Sequence, residues 1–295
     1  MIAEYVLPGA DVFPEGITEA RDGAGFYVSS SRNGTIFRGR TAAAQVEAWL
    51  PGGADGRDQA LGMTVDDRGR LFVCGGSTGR FFAYDTVTGK PLGFRTVQAE
   101  PHLLNDVCIV GDHAYVTDSE RPVVWRFDIG AGLGEPEEWL NITHFGARKD
   151  ALHYLNGIVP AGRGKVLIAA AQGTGVLWRI DVSAASARPV DLGGELVNGD
   201  GMVWVGDLLY VCDNSDDPDG TVHMWLTALR LSDDARTARV AGRWERPLRD
   251  TPTTVAYLDG RLYLVNSQFM ADRTGTPAAP PFTITALPPP LTSHP

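Results

Sequence analysis

Six segments of the chain set a residue immediately before a run of strand formers, and four of the six supply an oxygen donor. These are Glu15 in "PEGIT", Asn105 in "LNDVC", Asn156 in "LNGIV" and Asp200 in "GDGMV". Leu61 in "ALGMT" and Thr253 in "PTTVA" hold the two remaining positions, and the six are spaced by 46, 44, 51, 44 and 53 residues. Two carboxylates and two neutral amides, without sulfur or imidazole, form the donor set of a hard divalent cation: Ca2+ first, with Mg2+ or Mn2+ as alternatives. The charges of Glu15 and Asp200 would balance it, whereas without a cation two crowded carboxylates repel and at least one keeps its proton to higher pH. Any one of these residues alone reads as a turn former bonded to its own backbone. Their common register is what points to a cation. The glycines on either side of Asp200 are expected to let the backbone approach it closely.

The elements that must bring these residues together are strands. Apolar residues alternate or cluster in fours to eights between Gly, Asp and Pro, with no sustained helical period. The runs "GFYVSSS", "RLFVCGG", "HAYVTDS", "KVLIAAA", "LLYVCDN" and "RLYLVNS" begin at Gly25, Arg70, His113, Lys165, Leu208 and Arg261, spaced by 45, 43, 52, 43 and 53 residues. Most have a shorter run before them and a third strand after them, and fourth strands show at "VEAWLPGG", "PEEWLNIT" and "VAGRWERP". Four antiparallel strands at this period predict a single all-β domain over residues 1–295, a six-bladed β-propeller. The last unit lacks a fourth strand, because "PPLTSHP" cannot sustain a ladder, and residues 289–295 are expected to be irregular. "EYVLPGAD" at Glu4 resembles "EAWLPGGAD" at Glu47, so the N-terminal strand is expected to close the last blade. First strands of propeller blades line the central channel, and the six positions therefore converge near the axis.

Other residues could serve that mouth. His102 and His153 each stand three residues before a mouth asparagine, and an imidazole there could move a proton near neutrality. The ends of the second strands, Asp118, Asp213 and Asn266 among them, are expected to form a polar wall for a small-molecule substrate, with Leu103 as an apolar contact. "DNSDDPDG" at 213–220 reads as a solvated turn. Residues 270–280, "MADRTGTPAAP", read as a lid or as an irregular connector.

Composition excludes several functions. A net charge of −10 with no Lys/Arg run provides no footprint for nucleic acid or for an anionic membrane. No signal-like N-terminus or 18-residue apolar stretch is visible, so a cytoplasmic location is expected. Cys74, Cys108 and Cys212 lie in apolar strand-like runs without Cys-x-x-Cys spacing and are expected to be buried free thiols.

The blade pattern along the whole chain, with "PEGI", "LND", "LNG" and "DGM", resembles the regucalcin/gluconolactonase family of six-bladed propellers. The resemblance implies that Glu15, Asn156 and Asp200 hold a Ca2+ or Zn2+, that Asn105 contacts substrate or adds a ligand, and that Asp200 is the general base. The family's aldonolactonases carry an Arg two residues before the "ND" asparagine, where this chain has Leu103. With Leu61, Leu103 and Leu104 at the mouth, the resemblance implies a lactone or related ester that is apolar and not a sugar. Strictosidine synthases share the propeller but depend on a disulfide for which this chain has no suitable cysteine pair. A metal-assisted cyclase or isomerase, or a non-enzymatic metal-binding propeller, are the competing expectations.

Overall fold

The structure is a computed structural model that describes residues 2–98, 100–216, 221–247 and 250–291. The repeated apolar runs become the strands Gly25–Ser30, Arg70–Cys74, His113–Asp118, Val166–Ala171, Leu208–Asp216 and Arg261–Asn266. Each lies between two partners in its own sheet and is covered by neighbouring sheets, which is why these runs are apolar almost throughout. The strands form four four-stranded sheets and one of eight strands, whose two four-stranded halves meet through a single parallel bridge, Val6 to Gln45. Glu4–Leu7 pairs antiparallel with Phe282–Leu287, from Glu4 opposite Thr285 to Leu7 opposite Phe282. That is the pairing expected from the repeat at its N-terminus. The outer strands Pro91–Thr96 and Ser186–Pro189 escaped the sequence reading, because "PLGFRT" and "SARP" are largely solvated edges with no apolar alternation.

Six inner strands touch one another in a closed circuit: Pro14–Glu19, Met63–Val65, Leu104–Val110, Leu155–Ala161, Gly199–Val205 and Pro252–Leu258, with the last packed on the first. The apolar core is divided accordingly. Its clusters sit between adjacent sheets, one joining Tyr5, Phe26 and Phe282 across the closure, another joining Phe72, Phe81 and Phe127. Close approach of the inner strands demands glycine. A Cβ on Gly157 would lie 2.1 Å from the Asp200 carbonyl oxygen, and one on Gly201 would lie 2.6 Å from Thr254 Cα. The glycine after Asp200 therefore makes room for the next inner strand.

The remaining expectations divide. Cys74, Cys108 and Cys212 are buried and free. The segment read as a solvated turn from Asp213 instead continues the strand to Asp216, paired with Val222–Leu231, because the hairpin extends beyond the apolar run; residues 217–220 lie outside the described residues. The proline-rich end is irregular as far as Leu291, whose backbone N–H donates to Tyr210 Oη (2.9 Å), and residues 292–295 lie outside the described residues. Among the described residues no helix is long and apolar enough to cross a membrane.

Candidate functional site

Five of the inner strands break register at the position picked out from the sequence. The ladder jumps between Pro14 and Ile17, Leu104 and Val107, Leu155 and Ile158, Gly199 and Met202, and Pro252 and Val255. Each jump encloses one of Glu15, Asn105, Asn156, Asp200 and Thr253. A bulge frees the enclosed side chain from the pleat and re-aims it. These five residues, with Leu61, line one cavity of about 730 Å3, and the four polar ones from the metal set are nine-tenths or more buried.

A second tier stands above them. Gln59, Leu103, Tyr154, Asn198 and Thr251, each two before a ring residue in the segment that leads into an inner strand, line the same cavity. Phe13 holds this place before Glu15 but stacks on Phe269, with ring centroids 6.3 Å apart. The sequence reading found only Leu103 of this tier; applying its offset of two to every segment would have found the rest. The segment read as lid or connector begins in the short helix Phe269–Thr274, which puts Phe269, Met270 and Arg273 on the cavity wall. Arg32 anchors the helix through Asp272 at 3.0 Å.

Both histidines lie in the segments before the inner strands and outside the cavity lining. His153 is buried, its Nε2 2.7 Å from the Arg148 carbonyl, and neither it nor His102 lines the cavity. Neither imidazole is on the cavity wall, so the proton-shuttle expectation is corrected for both. The polar wall is corrected in part: Gln172 and Asn214, at the ends of two second strands, line the cavity, whereas Asp118, Asp213 and Asn266 face into their own sheets. Asp118 accepts from Leu103 N (2.9 Å) and Trp125 Nε1 (3.0 Å), while Asp213 accepts from Thr227 Oγ1 (2.8 Å). Asn266 donates to Thr283 and Thr285, both at 2.9 Å. All three are buried and none lines the cavity.

The cavity floor is short of donors. Glu15 Oε2, Asn105 Oδ1 and Asp200 Oδ1 are all buried without a hydrogen-bond partner. Asn105 Nδ2 donates to Ser119 Oγ (2.8 Å), which leaves its carbonyl oxygen for the cavity. Asn156 Nδ2 donates to Gln172 Oε1 (3.2 Å), and both amides also donate to Asp200. Burial raises the Glu15 carboxyl well above its ordinary value, reinforced by the charges of Asp200 and Asp106. Asp200 is pushed up to about 8 by burial and by Asp106, against the pull of its N–H donors. Asp106 itself is raised to about 6 by burial and lines the opposite mouth of the channel. The sequence reading missed it, although it stands where four other segments carry the glycine after the ring residue. Tyr154 is pushed up to about 12 by burial, then by Asp200, Glu15 and Glu120.

Desolvated, mutually repelling carboxylates beside the orphaned Asn105 carbonyl oxygen fit a hard cation, which would remove the desolvation and the repulsion together. Among the described residues no three His, Cys, Asp or Glu side chains gather as a metal cluster, so amide oxygens would have to complete the set.

No family model and no curated protein matches the chain. Solved structures do. The calcium-binding protein regucalcin from Agrobacterium tumefaciens is similar over 97% of this chain and 93% of its own, at 12% identity and a TM-score of 0.66. The fold is a β-propeller. Virginiamycin B lyase from Staphylococcus aureus (11% identity, 96% and 97% covered, TM-score 0.65) and the allergen Mala s 1 from Malassezia sympodialis (18%, 97% and 96%, 0.69) share it. At such identities the likeness is one of fold.

Proposed function

We propose that the eight-stranded sheet is two blades joined at the ring closure, and that this six-bladed propeller is a divalent-cation-dependent hydrolase of the regucalcin/gluconolactonase kind. Its substrate would be a lactone or related ester of a fairly apolar, non-sugar molecule. The observation that carries the reading is the trio of buried acceptors without partners, Glu15 Oε2, Asn105 Oδ1 and Asp200 Oδ1, on one cavity floor. Glu15, Asn156, Asp200 and Asn105 would hold the cation, with Ca2+ the best match to an all-oxygen set. When bound, the cation would supply Lewis-acid polarisation of a carbonyl and neutralise the carboxylates.

The chain's own residues do the rest. Leu61, Leu103, Leu152 and Met224 provide an apolar wall for the substrate body. Asp200 takes a proton from water as the water oxygen bonds to the carbonyl carbon. The acyl C–O bond then breaks with its electron pair on the leaving oxygen, which receives that proton, and the product is a hydroxy acid.

Titration of the purified, chelator-treated protein with Ca2+, Mg2+, Mn2+ and Zn2+ tests the reading. One cation per chain is expected, with affinity lowered at least about tenfold by Glu15→Gln and by Asp200→Asn. Absence of binding, or variants that bind like wild type, would sink it.

A further inference from the structure

We propose that Tyr154 is the hydrogen-bond donor that holds the reacting carbonyl oxygen in this cavity, an inference that rests on the hydrolytic reading above. Tyr154 belongs to the upper tier and lines the cavity beside the ring. Its phenol feels Asp200, Glu15 and Glu120, and it makes no hydrogen bond to any described residue. The O–H is left for a ligand.

The chemistry of the surrounding groups gives that donor its importance. The unpartnered atoms of the floor, Glu15 Oε2, Asn105 Oδ1 and Asp200 Oδ1, are all acceptors. Acceptors suit a cation but repel the negative charge that builds on a carbonyl oxygen during attack; the cation would meet part of that charge, and an O–H donor aimed at the same oxygen adds to it. Asn105 and Asn156 already direct their amide donors at Ser119 and Gln172. Arg273 lines the cavity from the helix above. Tyr154 is an O–H donor on the wall beside the acceptor floor.

The backbone is built to present it. Tyr154 has φ of 50°, a left-handed conformation that a bulky residue keeps only when its surroundings impose it. Gln172 N donates to the Tyr154 carbonyl (3.1 Å) and Gly173 N to the His153 carbonyl (2.9 Å), which pins the turn on both sides. Gly173 is required there, since a Cβ would lie 2.2 Å from the Leu152 carbonyl oxygen. Phe13 and Thr251, at the same offset from Glu15 and Thr253, share the conformation with φ of 41° and 44°. The positive φ recurs at this offset before three inner strands, and in two of them, at Tyr154 and Thr251, the residue lines the cavity. In the reaction, the carbonyl π pair moves onto the oxygen as water adds, and the Tyr154 O–H donates to that oxygen. The pair returns as the acyl C–O bond breaks, and the phenol keeps its proton throughout.

Tyr154→Phe removes one oxygen and keeps the ring. Ca2+ affinity by calorimetry and the melting temperature should match wild type, while kcat on a panel of aliphatic and aromatic lactones falls about 10²–10³-fold. A second readout does not depend on turnover. With Ca2+-loaded protein, the carbonyl stretch of bound δ-valerolactam should move to lower frequency in wild type and move less in the Phe variant. A Phe variant that keeps kcat within about twofold and the full infrared shift overturns this inference alone. Loss of Ca2+ binding in the variant also overturns it, since Tyr154 would then be part of the cation site. A wild-type protein that binds no Ca2+ or turns over no lactone removes the parent reading and this one with it.

Discussion

At the residue scale the floor of the cavity is held in an unfavourable state by its own carboxylates. Asp200 is raised from the ordinary aspartate value of 3.8 to about 8, and Glu15 is shifted in the same direction. The cation-free native protein therefore keeps protons that the unfolded chain has released. Between about pH 4 and 8 the native state binds more protons, so its stability falls as pH rises through that window. Thermal scans of chelator-treated protein should show the melting temperature declining from pH 5 to pH 8. Asp200→Asn should flatten the decline, and saturating Ca2+ should reverse it. A wild-type profile that rises with pH, unchanged by Asp200→Asn, would show that these carboxylates are not coupled to folding. The ring residues were legible in the sequence because their spacing follows the blades. Tyr154 and Asp106 were not singled out, since a tyrosine and an Asn-Asp pair look ordinary until the bulge shows which face each takes.

The bulge, at the scale of the element, converts a repeat into a site. Five of the six inner strands break their pairing where they carry the ring residue, and a glycine after that residue commonly admits the neighbouring strand. Gly157→Ala should destabilise the protein by about 1–3 kcal/mol, because its Cβ would meet a backbone carbonyl at 2.1 Å and the inner strands must separate. Gly132→Ala is the matched control. Nothing lies within 4 Å of a Cβ there, so a change of no more than about 0.5 kcal/mol is expected. Denaturant unfolding of the two variants measures the difference, and equal losses would remove the close-packing account of the glycines. His102 and His153 match in offset, which was visible in the sequence, but both lie in the segments before the strands and off the cavity wall, which the offset alone did not reveal.

For the whole molecule, stability depends on the closure made by the first strand. Tyr5 and Leu7 are almost wholly buried, and Tyr5 Oη donates to the Thr41 carbonyl at 2.7 Å, tying the two halves of the eight-stranded sheet together. Deleting residues 2–7 should cost about 3–6 kcal/mol from these two side chains alone. It should also leave the Phe282–Leu287 edge open to another copy, producing concentration-dependent association in sedimentation. A truncated protein as stable and monodisperse as the full chain would contradict this. The sequence by itself determined the strand repeat, the N-terminal closure and the six convergent positions, because spacing along the chain preserves blade order and register. Only the tertiary structure decided which neighbours of those positions face the cavity, that Asp106 presses on Asp200 from another strand, and that Phe269–Thr274 closes one wall. Those outcomes depend on bulges and on contacts between segments scores of residues apart, and local patterning carries no record of either.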